Sequence, residues 1–241
     1  MEDRPVKEIF TDVLGKPFGI VLFQLLEATQ FTIYLSLIAF LGGGLIALAV
    51  TAARVSPLKP LNRAFAAYTW LFQSAPLLML LFLFGLGVPR LFDIQVDPWY
   101  AAGIALTLYT SAYLAEVWRG ALTAIPAGQH EGGKALGLTF VQIMVLIILP
   151  QAVRLAIAPT VGFMVQIIKG TSLAYIIGFH DLMAIGKRWA NASVPGTQPF
   201  IIYPIMAMIY FSLCFPLSVW SRRLEKRLGS TSSKGRPTAA A

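Results

Sequence analysis

Charged residues are scarce in this chain. They make up 12% of its 241 residues, against about 25% in an average soluble domain. Long stretches carry no charge, and hydrophobic residues reach 57%. Together these values exclude an ordinary soluble domain and favour a membrane protein. The net charge of +8 does not indicate a nucleic-acid partner, because most basic residues flank apolar stretches, where they orient membrane proteins.

Residues that hold metals or perform covalent chemistry are equally few. The single cysteine, Cys214, lies in an apolar stretch and is expected to be a small buried hydrophobe. His130 and His180 are far apart and lack metal-ligand spacing, so we expect no metal site. The sequence has no Gly-x-x-x-x-Gly-Lys-Ser/Thr motif to hold ATP, and no Ser-His-Asp or Cys-His pattern is suggested. We therefore expect the chain not to be an enzyme.

Five stretches are long and apolar enough to cross a bilayer, which takes about 20 residues. They lie at 28–53, 64–88, 99–117, 155–179 and 200–220. A sixth apolar stretch, 140–149, is followed by Pro150 and would rise only about 15 Å as a helix, half the hydrocarbon thickness. The sequence therefore predicts an all-α polytopic membrane protein with five transmembrane helices.

The distribution of lysine and arginine sets the predicted orientation, because cytoplasmic loops carry the excess of these residues. The basic residues on the predicted inner side are Arg54, Lys59, Arg63, Arg119, Lys134, Arg154, Arg222, Arg223, Lys226, Arg227, Lys234 and Arg236. The smaller set on the outer side is Arg4, Lys7, Lys16, Arg90, Lys187 and Arg188. This asymmetry predicts an N-terminus outside and a C-terminus in the cytoplasm.

The two ends of the chain are predicted to lie outside the bundle. No basic region followed by an apolar region begins the sequence, so a cleaved signal peptide is not expected. Residues 1–27 are predicted to form a periplasmic or interfacial segment with an amphipathic helix, in which Ile9, Val13 and Phe18 lie among charges. Residues 226–241 are predicted to be a disordered cytoplasmic tail.

Small residues and prolines punctuate the apolar stretches. The run Gly42, Gly43 and Gly44 is predicted to permit close packing between helices. Prolines within the predicted spans are expected to kink their helices, at Pro76, Pro159, Pro204 and Pro216.

The segment 120–154 carries the start and stop signals of short helices. Pro126 suits the first turn of a helix, and Gly137 suits the position after its end, where φ is positive. Thr139 and Gln142 match a capping box, which begins a second helix that Pro150 is predicted to end. These signals fit either a helix packed beneath the bundle or a docking element for a soluble partner.

A resemblance to a known family favours the second of these interpretations. The stretch EGGKALG, which begins at Glu131, resembles the EAA motif of ABC importer permeases. The longer block LTLYTSAYLAEVWRGALTAIPAGQHEGGKALGLTF is similar to the core of the polar amino-acid permeases of the histidine, glutamine and glutamate type. VQIIKGTSLAYIIG and LFQSAPLLMLLFLFGLG resemble two further segments of that family, so the resemblance covers roughly residues 28–225.

The chain also departs from the family pattern. Gly132 and Gly133 stand where the EAA motif has two alanines, which either softens the start of the helix or allows closer backbone approach. Tyr109 stands where an asparagine is common. The family's Arg-Gly-Thr is replaced by Gln73, Ser74 and Ala75.

The resemblance implies a type I ABC importer permease fold in the bacterial cytoplasmic membrane. It implies that the chain translocates polar amino acids and has as partners a second permease subunit, two cytoplasmic ABC ATPases, a periplasmic amino-acid-binding protein and membrane lipid. No nucleic acid and no cofactor of its own are expected, since ATP would be bound by the ATPases. The residues implied in ATPase coupling, within the loop 120–154, are Gln129, Glu131, Gly132, Gly133, Ala135, Leu136 and Gly137.

Polar residues in two predicted spans mark a candidate substrate pathway. Tyr109, Tyr113 and Glu116 share one helical face, and Glu116 would either meet a cationic group of the substrate or pair with Arg119 as a structural ion pair. Lys169 and its polar neighbours would either form a constriction that touches the substrate carboxylate or pack against a neighbouring subunit. The full candidate set is Tyr109, Tyr113, Glu116, Gln166, Lys169, Thr171 and Ser172.

Two other functions fit less well. A secondary transporter driven by an ion gradient would need ion ligands at the membrane midplane and usually internal repeats, and we find no repeat and no buried aspartate in the sequence. A membrane scaffold without transport activity would account for the spans but not for the central block of similarity.

Overall fold

The computed structural model describes residue 8, residues 10–12 and residues 15–229, and within this range the chain is helical. The helices of the described part are α1 (Phe18–Val55), α2 (Lys59–Ser74), α3 (Leu77–Phe92), α4 (Pro98–Thr123), α5 (Ala127–Ala135), α6 (Phe140–Ile177), α7 (Leu182–Ala190) and α8 (Pro199–Gly229). The all-α class is therefore confirmed for these residues. Ile9 and Val13 of the predicted interfacial helix, and residues 230–241 of the predicted tail, lie outside the described residues.

Helix α1 begins at Phe18, ten residues before the predicted start of the first span. The added turns are apolar, and they bury Val21 and Leu25 in a cluster with residues of α7 and α8. The Trp189 indole N–H of α7 also donates a hydrogen bond of 2.8 Å to Gln24 Oε1. Residues from Phe18 to 27 thus belong to the same helix as the first predicted span, because contacts with α7 and α8 bury this part of the helix. The predicted interfacial segment ending at residue 27 stays a prediction.

The second predicted span, 64–88, is not one straight helix. Helices α2 and α3 meet at an angle of 99° at Ala75 and Pro76. Pro76 has no N–H to continue the hydrogen bonding of α2, and Ala75 before it takes an extended conformation with ψ at 129°. The bend expected at Pro76 is confirmed, whereas Pro159, Pro204 and Pro216 lie inside continuous helices.

Helix α4 is the centre of the described bundle. Its small residues, including Ala101, Ala102 and Ala105, are buried in the main hydrophobic cluster. Helix α1 approaches it closely, because a β-carbon at Gly43 would lie 2.6 Å from Thr110 Cβ. The close packing predicted for the glycine run is therefore confirmed, and α4 extends six residues beyond its predicted end at 117.

Helix α6 corrects the prediction that Pro150 ends a short helix. It runs through Pro150 without interruption as far as Ile177, so the short stretch 140–149 and the predicted span 155–179 form one helix. A π-helical segment, Ile143–Ile148, comes just before the proline, and the Leu149 N–H donates to the carbonyl of Met144, five residues back. The wider π turn accommodates a ring that would otherwise clash with the preceding turn.

Within the described part of the chain, three helices, α1, α6 and α8, are long and apolar enough to cross a membrane, and α2 with α3 adds a fourth if the bent pair is one span. Helix α4 has 26 residues and is long enough, but its mean hydropathy is too low for a membrane-spanning helix. Tyrosines, threonines, Glu116 and Arg119 lower this hydropathy. The predicted number of five spans is consequently not confirmed.

Candidate functional site

Helix α5 ends in a hydrogen-bonded turn that fixes its direction. Gly137 has a positive φ of 73°, as predicted for this position. The Leu138 N–H donates to the Gly133 carbonyl at 3.1 Å, and the Gly137 N–H donates to the Lys134 carbonyl at 2.9 Å. These two bonds form a Schellman motif, which satisfies carbonyls at the end of the helix.

Helix α6 starts immediately after this turn with the predicted capping box. The Gln142 N–H donates to Thr139 Oγ1 at 3.3 Å, and the Thr139 N–H donates to Gln142 Oε1 at 2.8 Å. Both ends of the turn are therefore closed by hydrogen bonds. Further contact comes from Gln151 Nε2, which donates to Gln129 Oε1 at 3.4 Å. Helix α5 and the start of α6 thus form one connected hairpin.

The residues predicted to couple to an ATPase lie mostly on the exposed surface of this hairpin. Gln129, Glu131, Gly132, Ala135, Leu136 and Gly137 are exposed, and Gly133 is buried against α6. Leu136 is 78% exposed, and the neighbouring Val141 is 66% exposed. Large apolar side chains at an exposed helix end are costly in water, so this surface fits a site that docks against another protein.

A charged cleft separates α5 from the ends of α1 and α4. The Glu116 carboxylate pairs with Arg119, whose Nε lies 2.9 Å from Glu116 Oε1, and with Arg54, whose Nη2 lies 3.5 Å from Oε2. Asn62 holds Arg54 from the other side, since its Oδ1 accepts from Arg54 Nη1 at 2.9 Å and its Nδ2 donates to the Arg54 carbonyl at 2.7 Å. The ion pair that the sequence offered as one interpretation of Glu116 is present.

The same cleft also receives side chains from the hairpin. Its volume is about 610 Å³, and His130, Glu131 and Lys134 of α5 line it together with Arg54 and Arg119. A movement of α5 would therefore change the electrostatic environment of the ion cluster at the end of α4.

Three aromatic rings lie together between α4 and α6, and of these Tyr109 and Tyr113 are partly buried and Phe163 is buried. The ring centroids of Tyr109 and Tyr113 are 4.5 Å apart, and Phe163 of α6 stacks 5.4 Å from Tyr113. Gln73 of α2 borders these rings. Its side-chain Nε2 donates to the backbone carbonyl of Ala112 at 3.2 Å, and its backbone carbonyl accepts from Tyr113 Oη at 3.5 Å. The structure thus brings Tyr109 and Tyr113 together with two residues that the prediction did not include.

The four candidates on α6 differ in their surroundings. Gln166 and Lys169 are exposed, so they are available to a ligand or a second subunit. Ser172 Oγ donates to the Lys169 carbonyl at 2.6 Å. Thr171 is fully buried within the chain, and its Oγ1 donates to the Ile168 carbonyl at 2.8 Å. In this conformation Thr171 therefore lies on no surface that a substrate could reach.

Sequence reasoning missed Arg54, Asn62 and Phe163. Arg54 and Asn62 are eight residues apart across a turn, and their contact depends on how α1 meets α2. Phe163 lies in an apolar stretch where nothing distinguishes it from residues that face lipid. No local signal in the sequence identifies these three.

The chain is similar in sequence to a known family and to individual transport proteins. Residues 43–230 match the family described as "Binding-protein-dependent transport system inner membrane component". The "Probable glutamine ABC transporter permease protein GlnM" of Bacillus subtilis (strain 168) is 33% identical over 197 residues, which are 82% of this chain and 89% of the relative. The "L-cystine transport system permease protein TcyB" of the same organism is 34% identical over 198 residues, 82% of this chain and 83% of the relative.

Solved structures agree with the sequence relatives. A structure described as "Crystal structure of an amino acid ABC transporter with histidines" superposes with a TM-score of 0.78 at 27% identity, and the match covers 84% of this chain and 93% of that chain. An inward-facing MetNI methionine ABC transporter superposes with a TM-score of 0.66 at 19% identity, covering 88% of this chain and 98% of that chain. The second likeness shows a shared fold.

Proposed function

This chain belongs to the family of binding-protein-dependent transport system inner membrane components, the membrane permease subunits of ABC importers, and we propose that it imports polar amino acids. The observation that carries this proposal is the hairpin of α5 and α6, closed by a Schellman motif and a capping box and exposed at Leu136. As a family member the chain is a multi-pass protein of the cytoplasmic membrane. The class of cargo is supported by relatives named for glutamine and cystine transport.

We propose that five spans cross the membrane, with the N-terminus outside and the C-terminus in the cytoplasm. In this topology α2 and α3 form one bent span, and α4 forms another that the remaining helices cover. Covering by protein explains how α4 can hold Glu116 and Arg119 at its end, since ionisable groups in spans are tolerated when they face protein or pair with each other. Helix α5 would then lie in the cytoplasm and α7 outside.

We propose that α5 docks into a cytoplasmic ATPase that binds and hydrolyses ATP. The chain has no P-loop motif of its own, so in this proposal ATP is bound and hydrolysed by the partner. Leu136 would provide the apolar contact, and Gln129 and Glu131 would provide polar contacts around it. Because both ends of the hairpin turn are hydrogen-bonded, α5 would transmit motion to α6 rather than bend.

We propose that two permease subunits enclose the pathway between them. One copy leaves Gln166 and Lys169 of α6 exposed, and Phe163 of the same helix stacks against Tyr113, which neighbours Tyr109. A two-fold assembly would place these residues around an axis, where amide, ammonium and hydroxyl groups can contact a zwitterionic substrate. Glu116 is already paired with two arginines, so its part in the pathway would require their displacement. A periplasmic binding protein would deliver the substrate from outside.

The proposal is tested by purifying the chain with its genomic partners and reconstituting the complex in proteoliposomes. We expect an ATPase to co-purify, and its ATP hydrolysis to rise when the substrate-loaded binding protein is present outside. Glu131→Lys should abolish this stimulation while membrane insertion and expression stay normal. Glu225→Lys is the matched control, because it reverses an exposed charge at the predicted cytoplasmic end of α8, which is not part of the hairpin.

Two results would contradict the proposal. Uptake that depends only on a proton or sodium gradient would indicate a secondary transporter. Stimulation that survives Glu131→Lys unchanged, in a complex that still contains the ATPase, would remove α5 from the coupling pathway.

A further inference from the structure

Asn62 closes the turn that joins α1 to α2. Its side chain makes two hydrogen bonds with Arg54: Oδ1 accepts from Arg54 Nη1 at 2.9 Å, and Nδ2 donates to the Arg54 backbone carbonyl at 2.7 Å. Arg54 is the last residue but one of α1, and Asn62 lies in the first turn of α2. The carbonyls at a helix end have no partner within the helix, so Asn62 supplies a donor that the Arg54 carbonyl would otherwise lack. The two hydrogen bonds therefore fix both the backbone and the side chain of Arg54.

The Arg54 guanidinium, held in this way, reaches across to α4. Its Nη2 lies 3.5 Å from Glu116 Oε2, while Arg119 of α4 pairs with the other carboxylate oxygen. The side chain of Arg54 is only 16% exposed, and its Nε is buried without an acceptor among the described residues. The position of the guanidinium therefore depends on its contacts with Asn62 and Glu116.

The pair of Arg54 and Glu116 is the polar side-chain link between this turn and the bundle. Among the described residues, the side chains from Arg54 to Asn62 make no other hydrogen bond or ion pair outside the turn. A long side chain loses rotamer freedom when it forms such a pair, and it loses less when a neighbour already holds it in place. Loss of the Asn62 amide should therefore loosen the link, although Asn62 takes no part in the ion pair itself.

The end of α4 is in turn closely tied to α5. Residues 124–126 alone separate the two helices, and the Ala124 N–H still donates to the Gly120 carbonyl at 3.0 Å. On the other side of this connection, the Gln129 N–H donates to the Pro126 carbonyl at 3.0 Å. A connection this short leaves α5 little freedom to move without the end of α4. A displacement of α5 is therefore transmitted to the helix that carries Glu116.

These contacts form a continuous path from α5 to the turn between α1 and α2. The path runs through the end of α4 to Glu116, then to Arg54 and Asn62. Side chains of α5, including Glu131 and Lys134, lie on the same cleft as the ion cluster, but among the described residues they form no ion pair with it. The route through α4 is therefore the one made of chain and hydrogen bonds.

We propose that Asn62 is a positioning residue for the coupling of ATP hydrolysis to transport. It holds Arg54 on Glu116, so that α1 and α2 follow the end of α4 when an ATPase displaces α5. In this role Asn62 acts through Arg54, without contact to nucleotide or substrate. The inference rests on the docking of α5 to an ATPase, which belongs to the proposed function.

A residue that merely caps the turn would make the same hydrogen bonds without any part in coupling. Such a residue would act on the backbone alone, through the Arg54 carbonyl. Arg54→Gln separates the two roles, because it removes the guanidinium and leaves that carbonyl in place. If Asn62 only caps the turn, Asn62→Leu should cause the same loss in either background. If Asn62 positions the guanidinium, Asn62→Leu should add little once residue 54 is glutamine.

Coupling is measured as substrate taken up per ATP hydrolysed, in proteoliposomes that hold the permease with its ATPase and are supplied with loaded binding protein. We expect Asn62→Leu to lower this ratio by about threefold or more, and to leave the KM for the loaded binding protein within about twofold of the wild type. Arg54→Gln should give the same loss, and the double variant should be no worse than either single variant. Asn62→Asp keeps an acceptor for Arg54 Nη1 and should retain most of the coupling. Arg63→Gln is the control, since Arg63 is the exposed neighbour of Asn62 on α2, and its coupling should be unchanged.

Unchanged coupling in Asn62→Leu would overturn the inference, as would a further loss of about threefold in the double variant. If Asn62→Leu does not insert stably, Arg54→Lys takes its place, because lysine keeps the charge without the planar fork that meets Asn62 and Glu116 together. The same loss of coupling is then expected, and normal coupling would overturn the inference. A wild-type complex whose ATP hydrolysis is not stimulated by loaded binding protein would contradict the proposed function as well. A stimulated wild type with a normal Asn62→Leu variant would remove the role of Asn62 alone.

Discussion

Gly133 of α5 lies so close to Ile143 of α6 that a β-carbon at position 133 would be 2.7 Å from Ile143 Cγ1. Gly132, its neighbour in the helix, would have nothing within 4 Å of such an atom. The two glycines that replace the alanines of the EAA motif therefore differ in how closely they pack against α6. Gly133 permits close contact between the two arms of the hairpin, and Gly132 does not.

This difference predicts opposite effects for one substitution at adjacent positions. Gly133→Ala should push Ile143 away and destabilise the hairpin by about 1–3 kcal/mol, which is the usual cost of overpacking. Gly132→Ala should stabilise α5 by up to about 1 kcal/mol, because alanine is the better helix former. Thermal unfolding of the two variants in detergent gives the sign directly.

The effects of the two substitutions on coupling to ATP hydrolysis should parallel their effects on stability. We expect substrate-stimulated ATP hydrolysis to fall in Gly133→Ala and to be retained in Gly132→Ala. Combining Gly133→Ala with Ile143→Val removes a methyl group from the crowded site and should restore part of the stability. If both alanine variants unfold at the same temperature as the wild type, the close contact has no energetic consequence.

The positive φ of Gly137 supports a second prediction. A side chain in this left-handed conformation costs about 1–2 kcal/mol, so Gly137→Ala should lower the stability of the hairpin by that amount. Asn tolerates the conformation better than Ala, so Gly137→Asn should recover part of the loss. Hydrogen exchange of the α5 amides measures the local effect, and Gly128→Ala, at a position with open space around it, is the control. Faster exchange in the control than in Gly137→Ala would contradict the role of the turn.

Local signals made these turns predictable from sequence. The stop at Gly137 and the capping box of Thr139 and Gln142 depend on residues within one helical turn, and the structure has both. Pro150 was misread, because the π turn that accommodates it lies upstream and has no sequence signature. The helical continuity of α1 from Phe18 could not be predicted for a different reason, since Val21 is buried by residues of α7 and α8, more than 150 positions further along the chain.

For the site residues too, contacts within one helix could be predicted from sequence, and contacts between helices could not. Glu116 and Arg119 could be paired from their spacing, because residues three apart on a helix are neighbours. Arg54 joins them only because α1 packs against α4, which periodicity does not reveal. Thr171 was assigned to the pathway from its polarity, and the direction of its side chain into the bundle could not be read from one helix alone.

The Glu116 cluster gives a third prediction, which separates the two interpretations of this carboxylate. As a structural ion pair, Glu116→Gln should weaken contact with Arg54 and Arg119 and lower the melting temperature by about 2–4 °C. This shift corresponds to about 1 kcal/mol for a chain of this size, a modest value because the groups are partly exposed to solvent. The KM for substrate-stimulated ATP hydrolysis should be unchanged.

A role in substrate binding would give the reverse pattern. The KM for a cationic amino acid would rise several-fold, and the melting temperature would stay within one degree of the wild type. Glu225→Gln serves as the control for loss of a negative charge at the same end of the bundle. A double-mutant cycle of Glu116→Gln with Arg119→Gln should show a larger coupling energy than the cycle with Arg54→Gln, because Arg119 forms the closer pair.

Asp181, between α6 and α7, gives the last prediction. Its side chain is fully buried, so the expectation from sequence that no aspartate is buried is wrong. Its Oδ1 accepts from the Ala184 N–H at 2.9 Å, and Tyr210 Oη donates to its Oδ2 at 3.4 Å. Burial raises the pKa of this carboxyl from 3.8 to about 6, since the hydrogen bonds do not fully replace water around the charge. The folded chain therefore binds this proton more tightly than the unfolded chain.

The sign of the pH dependence follows from that order of pKa values. Between pH 3.8 and about 6 the folded state holds the proton that the unfolded state has lost, so stability from this group falls as the pH rises. Well above pH 6 the carboxylate is charged in both states, and the loss, about 3 kcal/mol, is complete. Asp181→Asn keeps an oxygen for the Ala184 N–H but carries no charge. It should therefore raise the melting temperature at pH 7.5 and have little effect at pH 4.

Melting temperatures measured from pH 4 to pH 8 in detergent test this expectation. The difference between Asp181→Asn and the wild type should grow through the interval up to pH 6 and then remain constant. Asp97→Asn is the matched control, since Asp97 also caps a helix, with Oδ1 accepting from the Trp99 N–H at 2.8 Å, but is exposed. Its substitution should not reproduce the pH-dependent difference. An Asp181→Asn variant that is less stable than the wild type at pH 7.5 would mean that the charged carboxylate strengthens its hydrogen bonds by more than its burial costs.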